Sequence, residues 1–167
     1  MDVRESLRTN AEKVSEIFKS GKFTLAIAES FTGGNVVASL VAIQGASSFV
    51  LEGLTCYSNE SKRARLGVKA ETLDKFGAVS ENTVREMIDG LLDSPLKPDF
   101  AVATTGNAGP GTEPLSDSGE CYVAAGNKND IVVKRLSLSG SREENIFDGT
   151  NEALSILIKF VKKQRGE

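Results

Sequence analysis

A hydroxyl, a second hydroxyl and two glycines stand together in Ser30-Phe31-Thr32-Gly33-Gly34. The apolar, β-prone run 23–27 comes before them, and a second apolar run, 36–41, follows with helical spacing. A strand-to-helix junction of this kind offers unpaired backbone N–H groups and the positive end of a helix dipole. Glycine there lets a ligand approach the main chain. A serine so placed could attack a carbonyl, or it could cap the helix, which is the ordinary use of Ser or Thr before one.

The chain has no histidine. That excludes the Ser-His-Asp triad and the Cys-His pair, and it removes the commonest zinc ligand. A hydrolytic base must then be Lys, Asp, Glu or Tyr. Tyr57-Ser58-Asn59-Glu60-Ser61-Lys62 puts a lysine on the first turn of a helix. An amine with a reference pKa of about 10.4 acts as a base only where its charge is disfavoured. Burial, a cationic neighbour or a helix N-terminus would do that. Tyr57 could hydrogen-bond Lys62 or relay a proton to a leaving amine. On spacing alone the commoner reading of Lys62 is a solvated charge in Lys62-Arg63-Ala64-Arg65, and that of Tyr57 is a half-buried packing residue.

The longest glycine-rich loop, Thr105-Gly106-Asn107-Ala108-Gly109-Pro110-Gly111-Thr112, is neither a Walker A loop nor the Gly-x-Gly-x-x-Gly fingerprint. Its successive N–H groups could form a nest for a phosphate or a ribose. It could also be an ordinary long loop, although such loops in compact domains lean toward function. Arg142, at the start of the last helix, could grip a phosphate with both arms or remain solvated.

The elements that must carry these groups are marked by periodicity and punctuation. Apolar residues at Val3, Leu7, Ala11, Val14, Ile17 and Phe18 predict a helix over 2–20 ending at Gly21. A strand at 23–28, a helix at 33–43, a turn at 44–48 and a strand at 49–57 follow. Short helices at 61–66 and 72–76 end at Gly67 and Gly77. Ser80 caps a helix with Val84, Met87, Ile88 and Leu91 on one face, and Pro95 and Pro98 stop it. A strand at 99–104, a hairpin of 120–126 with 131–138, and a last helix opened by the capping box Ser141-x-x-Glu144 complete the chain. Strands alternating with helices before a hairpin predict a three-layer α/β/α sandwich with a mixed sheet. Ligands collect outside the carboxyl ends of parallel strands in such sheets. Three of these ends, 29–34, 57–62 and 104–112, are polar or glycine-rich.

Length and composition set the remaining bounds. With 167 residues, 40% hydrophobic and 26% charged, the chain reads as one domain, 1–167, with ordinary globular composition. A net charge of −3 and the absence of Trp argue against nucleic acid as a partner. No apolar run is long enough to span a membrane. The two cysteines, Cys56 and Cys121, form no disulfide framework or metal-ligand spacing, so a reducing, cytoplasmic setting is expected. Homo-oligomers are common among enzymes of this size, and one is possible here.

Several pieces occur in one order: Glu29-Ser30-Phe31-Thr32-Gly33-Gly34, Tyr57-Ser58-Asn59-Glu60-Ser61-Lys62, Leu66-Gly67-Val68, Gly77-Ala78-Val79-Ser80, Thr105-Gly106-x-Ala108-Gly109-Pro110-Gly111 and Gly140-x-Arg142. Together they resemble the CinA C-terminal domain family, the nicotinamide mononucleotide amidohydrolases, in its stand-alone form without the separate N-terminal domain. The resemblance implies a metal-independent, cofactor-free deamidase of a mononucleotide. On that resemblance Ser30 is the nucleophile, Tyr57 and Lys62 activate it, and Thr105, Gly106 and Arg142 hold substrate. Gly33 and Gly34 are expected to donate N–H groups to an oxyanion or a phosphate. Thr32 and Asn107 complete the expected substrate-binding set. The chain departs from the family pattern in four places. Phe31 replaces a usual Cys and could narrow the pocket mouth, and Asn107 replaces an apolar residue. Ser116-Asp117-Ser118-Gly119-Glu120-Cys121 replaces Lys-Pro-Val-Gly-Thr-Val, and Asn145 or Ile146 stands where a second basic residue is usual. The alternative expectation is a catalytically silent relative that binds a nucleotide or small metabolite in the same crevice.

Overall fold

Large and small apolar residues alternate along the central strands, Leu25 and Ile27 with Ala26 and Ala28, Phe100 and Val102 with Ala101 and Ala103. Successive strand side chains point to opposite faces. The alternation therefore gives the sheet one bulky face and one smooth one. The computed structural model describes residues 3–167; Asp2, the first residue of the expected N-terminal helix, lies outside them.

The elements run α1 (Val3–Gly21), β1 (Leu25–Glu29), α2 (Asn35–Val41), β2 (Val50–Thr55), α3 (Asn59–Leu66), α4 (Ala70–Phe76), α5 (Glu81–Leu92), β3 (Phe100–Gly106), β4 (Glu120–Gly126), β5 (Ile131–Ser137) and α6 (Arg142–Gln164). They build the expected three-layer α/β/α sandwich. The sheet order is β2-β1-β3-β4-β5. β2, β1 and β3 are parallel, while β4 and β5 are added antiparallel. On the bulky face α1, α2 and α6 enclose a core containing Phe18, Phe49, Phe100, Leu154 and Leu157. On the smooth face α5 lays Val84, Met87, Ile88 and Leu91 over Ala26, Ala28, Ala101, Ala103 and Ala124. These four side chains are fully buried, and each stabilises the fold by roughly 1.5–3 kcal/mol relative to exposure.

Element boundaries shift where caps differ from expectation. Gly33 and Gly34 adopt positive φ, 62° and 97°, so they form a left-handed turn outside α2. α2 thus begins at Asn35, not 33. α3 begins at Asn59, two residues before the expected start, because the Ser58 hydroxyl accepts the N–H of Ser61 at 3.1 Å. The Ser80 cap and the Ser141–Glu144 capping box form as expected. Among the described residues no helix is long and apolar enough to cross a membrane.

From β1 the chain moves to β2 on one side, and β3 takes the other. The carboxyl ends of β1, β2 and β3 consequently flank a switch point, the place where open α/β sheets form ligand crevices.

Candidate active site

Ser30 follows β1 directly and is 7% exposed. It does not cap α2. Its carbonyl accepts the N–H of Gly33 at 3.0 Å, which closes a turn before the helix starts. The capping anion is Glu29, whose carboxylate accepts the N–H groups of Val36 at 2.8 Å and Val37 at 3.0 Å. Two carboxylate oxygens can satisfy two orphan N–H groups at once and complement the helix dipole. The first-turn amides of Val36 and Val37 are therefore engaged.

Part of the expected binding set lies away from the crevice. Thr32 is fully buried, and its hydroxyl donates to Glu29 at 2.7 Å. The N–H of Gly33 is engaged in the turn, and Gly34 forms the α2 cap position. None of Thr32, Gly33 and Gly34 lines the crevice, which Ser30 does. They shape the serine turn.

Lys62 comes from the inner face of α3 and is 1% exposed. Its Nζ lies 3.2 Å from Ser30 Oγ, 3.0 Å from the Cys56 carbonyl oxygen and 3.4 Å from that of Tyr57. Burial pushes the amine below its ordinary 10.5, outweighing an opposing pull from Cys56. A neutral amine has two N–H donors and one lone pair. The two carbonyls can only accept, so the donors go to them and the lone pair is left facing the serine hydroxyl. The surroundings of Lys62 suit a base and disfavour a solvated cation.

Tyr57 is placed differently from expectation. Its ring is 61% exposed, and its hydroxyl accepts from Arg142 Nη2 at 3.1 Å. Only its main-chain carbonyl meets Lys62, because α3 folds the amine back over its own N-terminus. Arg142 also donates through Nη1 to the Gly109 carbonyl at 2.6 Å, which holds the guanidinium over the glycine-rich loop.

The crevice holds about 500 Å³, within the range of small-molecule sites. Ser30, Tyr57, Lys62, Thr105, Gly106, Asn107 and Arg142 all line it. Thr105 and Asn107, like Arg142, use their polar groups on the protein itself. Thr105 Oγ1 donates to the Ala78 carbonyl at 2.6 Å and so pins the opposite wall. Asn107 accepts the N–H of Gly109 at 2.9 Å and donates to the Gly111 carbonyl at 3.0 Å, closing the loop on itself. That intraloop pairing explains how a polar residue fits where an apolar one is usual.

Two other departures have structural uses as well. Asn145 is buried; its amide donates to the carbonyls of Ala108 and Gly140 at 3.0 and 3.1 Å and accepts the N–H of Gly140 at 3.0 Å. Where a second cation is usual, this chain has a strap between the loop and α6. Ile146 packs against the core. Phe31 borders the crevice, but its ring lies against Gly149, where a β-carbon would collide with it. Its bulk therefore goes into the core and not across the mouth.

The expected site residues leave out one wall, formed by Leu73, Asp74 and residues 77–79 with 113–115 from the facing loop. The signal for it was Gly77-Ala78-Val79-Ser80 in the family pattern, whose Gly77 has a φ of 81°. Glu29 was missed in its role too. An acid at the end of β1, a few residues ahead of α2, was the available cue.

Comparison with known proteins agrees with this architecture. A family model described as the CinA C-terminal domain matches residues 7–161. A competence-damage inducible protein named as such in Clostridioides difficile strain 630 is 41% identical over 150 residues, covering 87% of this chain and 35% of the relative. A CinA-like protein of Kosmotoga olearia is 39% identical over 153 residues, covering 91% and 36%. The chain thus spans about a third of the length of these curated relatives. Among solved structures, competence damage-inducible protein A from Klebsiella pneumoniae matches with TM-score 0.87 at 33% identity, covering 92% of this chain and 95% of that one. A competence/damage inducible protein from Agrobacterium tumefaciens matches with TM-score 0.87 at 34% identity, covering 92% and 94%.

Proposed function

This chain belongs to the CinA C-terminal domain family, and from that premise we propose that it hydrolyses the carboxamide of nicotinamide mononucleotide to nicotinate mononucleotide and ammonia. One observation carries the reading: a buried amine, its donors taken by two carbonyls, stands 3.2 Å from a serine hydroxyl in a crevice of substrate size. Neutral Lys62 takes the Ser30 proton as Oγ attacks the amide carbon. The resulting ammonium returns that proton to the amide nitrogen, and ammonia leaves. The ester on Ser30 is then cleaved by water, with Lys62 accepting the water proton and giving it back to Oγ. Arg142, already oriented by Tyr57 and Gly109, is the cation for the substrate phosphate.

A second reading, a silent binder of a nucleotide or small metabolite, is favoured by Asn145, which holds loops where another cation would hold phosphate. The two readings separate in one experiment. Pure protein is mixed with nicotinamide mononucleotide while ammonia and the melting temperature are followed. Ammonia release supports the amidase; a raised melting temperature without ammonia supports the binder.

A further inference from the structure

A file of buried hydroxyls runs beneath the nucleophile, and counting protons fixes its direction. Glu29 is 1% exposed, and all its partners are donors: the N–H groups of Val36 and Val37 and the Thr32 hydroxyl at 2.7 Å. The single hydroxyl proton of Thr32 is therefore engaged. In the 2.7 Å contact between the Thr32 and Thr104 hydroxyls, Thr104 must be the donor. The oxygen of Thr104 is then left to accept, and the group offered to it is the N–H of Ser30 at 3.4 Å. The file reads Ser30 N–H to Thr104, Thr104 to Thr32, Thr32 to Glu29. Turning the Thr32 proton toward Thr104 would leave acceptor facing acceptor at Glu29 and donor facing donor at the Ser30 N–H, both in a buried site.

We infer that Thr104, Thr32 and Glu29 are positioning residues for the nucleophile. They anchor the main chain of Ser30 from below so that its hydroxyl stays within reach of Lys62. The anchor matters because Ser30 lies past the end of β1, in a turn that leads into two left-handed glycines. The tolerance is small. Proton transfer needs donor and acceptor within roughly 2.6–3.2 Å, and the pair stands at 3.2 Å. A slip of a few tenths of an ångström puts it out of range. β3 alternates its faces, so Thr104 braces the serine turn while its neighbour Thr105 braces the opposite wall through Ala78.

The inference rests on Ser30 as nucleophile but not on the identity of the substrate, and its test uses a serine-directed fluorophosphonate. In that reaction Ser30 Oγ forms a bond to phosphorus, the P–F bond breaks, fluoride leaves and the hydroxyl proton passes to Lys62. Labelling rates of Ser30, read by mass spectrometry, are compared for wild type, Thr104→Val and Thr104→Ser. Valine keeps the shape without the hydroxyl and should slow labelling by about ten- to a hundredfold. Serine keeps the hydroxyl and should restore the rate. The midpoint of the pH–rate curve should not move in either variant, because the burial that lowers Lys62 and its two carbonyl partners are untouched. Should Thr104→Val lose its cooperative melt, Thr32→Val beside Thr32→Ser makes the same comparison. Equal rates for wild type and the valine variant, or a serine variant as slow as the valine one, overturn the inference. So does a wild type that is not labelled. Labelled wild type without ammonia from nicotinamide mononucleotide overturns the substrate assignment and leaves this inference standing.

Discussion

Replacing Lys62 separates its work as a base from its place in the packing. Lys62→Met removes the amine at similar length, while Lys62→Arg keeps N–H donors that never give up their charge. A general base accelerates its reaction by about 10²–10⁴-fold, equivalent to roughly 3–5 kcal/mol of barrier. Both variants should lose that much in kcat for ammonia release. Wild-type rate should climb about tenfold per pH unit and level at a midpoint below the ordinary 10.5, because burial lowers the amine. The stability sign follows from the same shift. Between the lowered folded value and 10.5 the unfolded chain binds more protons, so resistance to unfolding rises with pH through that window. Below the window the full penalty of burying the charge is present. Urea unfolding of wild type beside Lys62→Met should show the gap between them shifting in favour of wild type as pH rises, then levelling. Lys62→Arg, with a cation it cannot shed, should be the least stable of the three. A variant with activity within about tenfold of wild type, or a stability gap constant from neutral to about pH 11, would refute the assignment of Lys62.

Asn145→Ala removes three hydrogen bonds from a buried strap and should cost about 2–4 kcal/mol in chemical unfolding. Gly149→Ala drives a β-carbon into the Phe31 ring; this overpacking of about 1–3 kcal/mol exceeds the roughly 1 kcal/mol gained in helix propensity, so the variant should be destabilised. Against a Phe31→Leu background the same substitution should turn neutral or stabilising, and a double-mutant cycle measures that change of sign. Arg142→Ala should raise KM for the mononucleotide by about ten- to a hundredfold, the worth of a charge-assisted bond, yet leave KM for the nucleoside lacking phosphate little changed.

Much of the fold was legible because the signals are local and strong. Alternation of Leu25-Ala26-Ile27-Ala28 reports a strand buried on both faces, and Ser80 and Ser141 stand where their caps form. Elimination of histidine narrowed a base to Lys, Asp, Glu or Tyr, and the pairing of Ser30 with Lys62 came from the family resemblance, since spacing alone favours a solvated lysine. What escaped depends on competition between neighbours. Ser30, Thr32 and Glu29 can all cap a helix, and sequence alone does not tell that the carboxylate takes both amides and frees the serine. Tyr57 has the right chemistry for an activator, but the turn into α3 sends its ring outward to Arg142 and its carbonyl inward. The wall at Asp74 and 77–79 carries no chemical group that marks a site, although Gly77-Ala78-Val79-Ser80 is part of the family pattern; tertiary packing of α4 brings it to the crevice. Asn107 was an expected substrate contact and Asn145 the place of a missing cation, whereas Asn107 satisfies its own loop and Asn145 ties Ala108 and Gly140 to α6.

The central claim is that the Ser30 hydroxyl, activated by an uncharged Lys62, breaks an amide bond. It is tested most directly by ammonia release from nicotinamide mononucleotide with wild type beside Ser30→Ala, the two first shown to melt alike. Steady release by wild type and none above background by Ser30→Ala is the predicted result. Equal release by both proteins would contradict it.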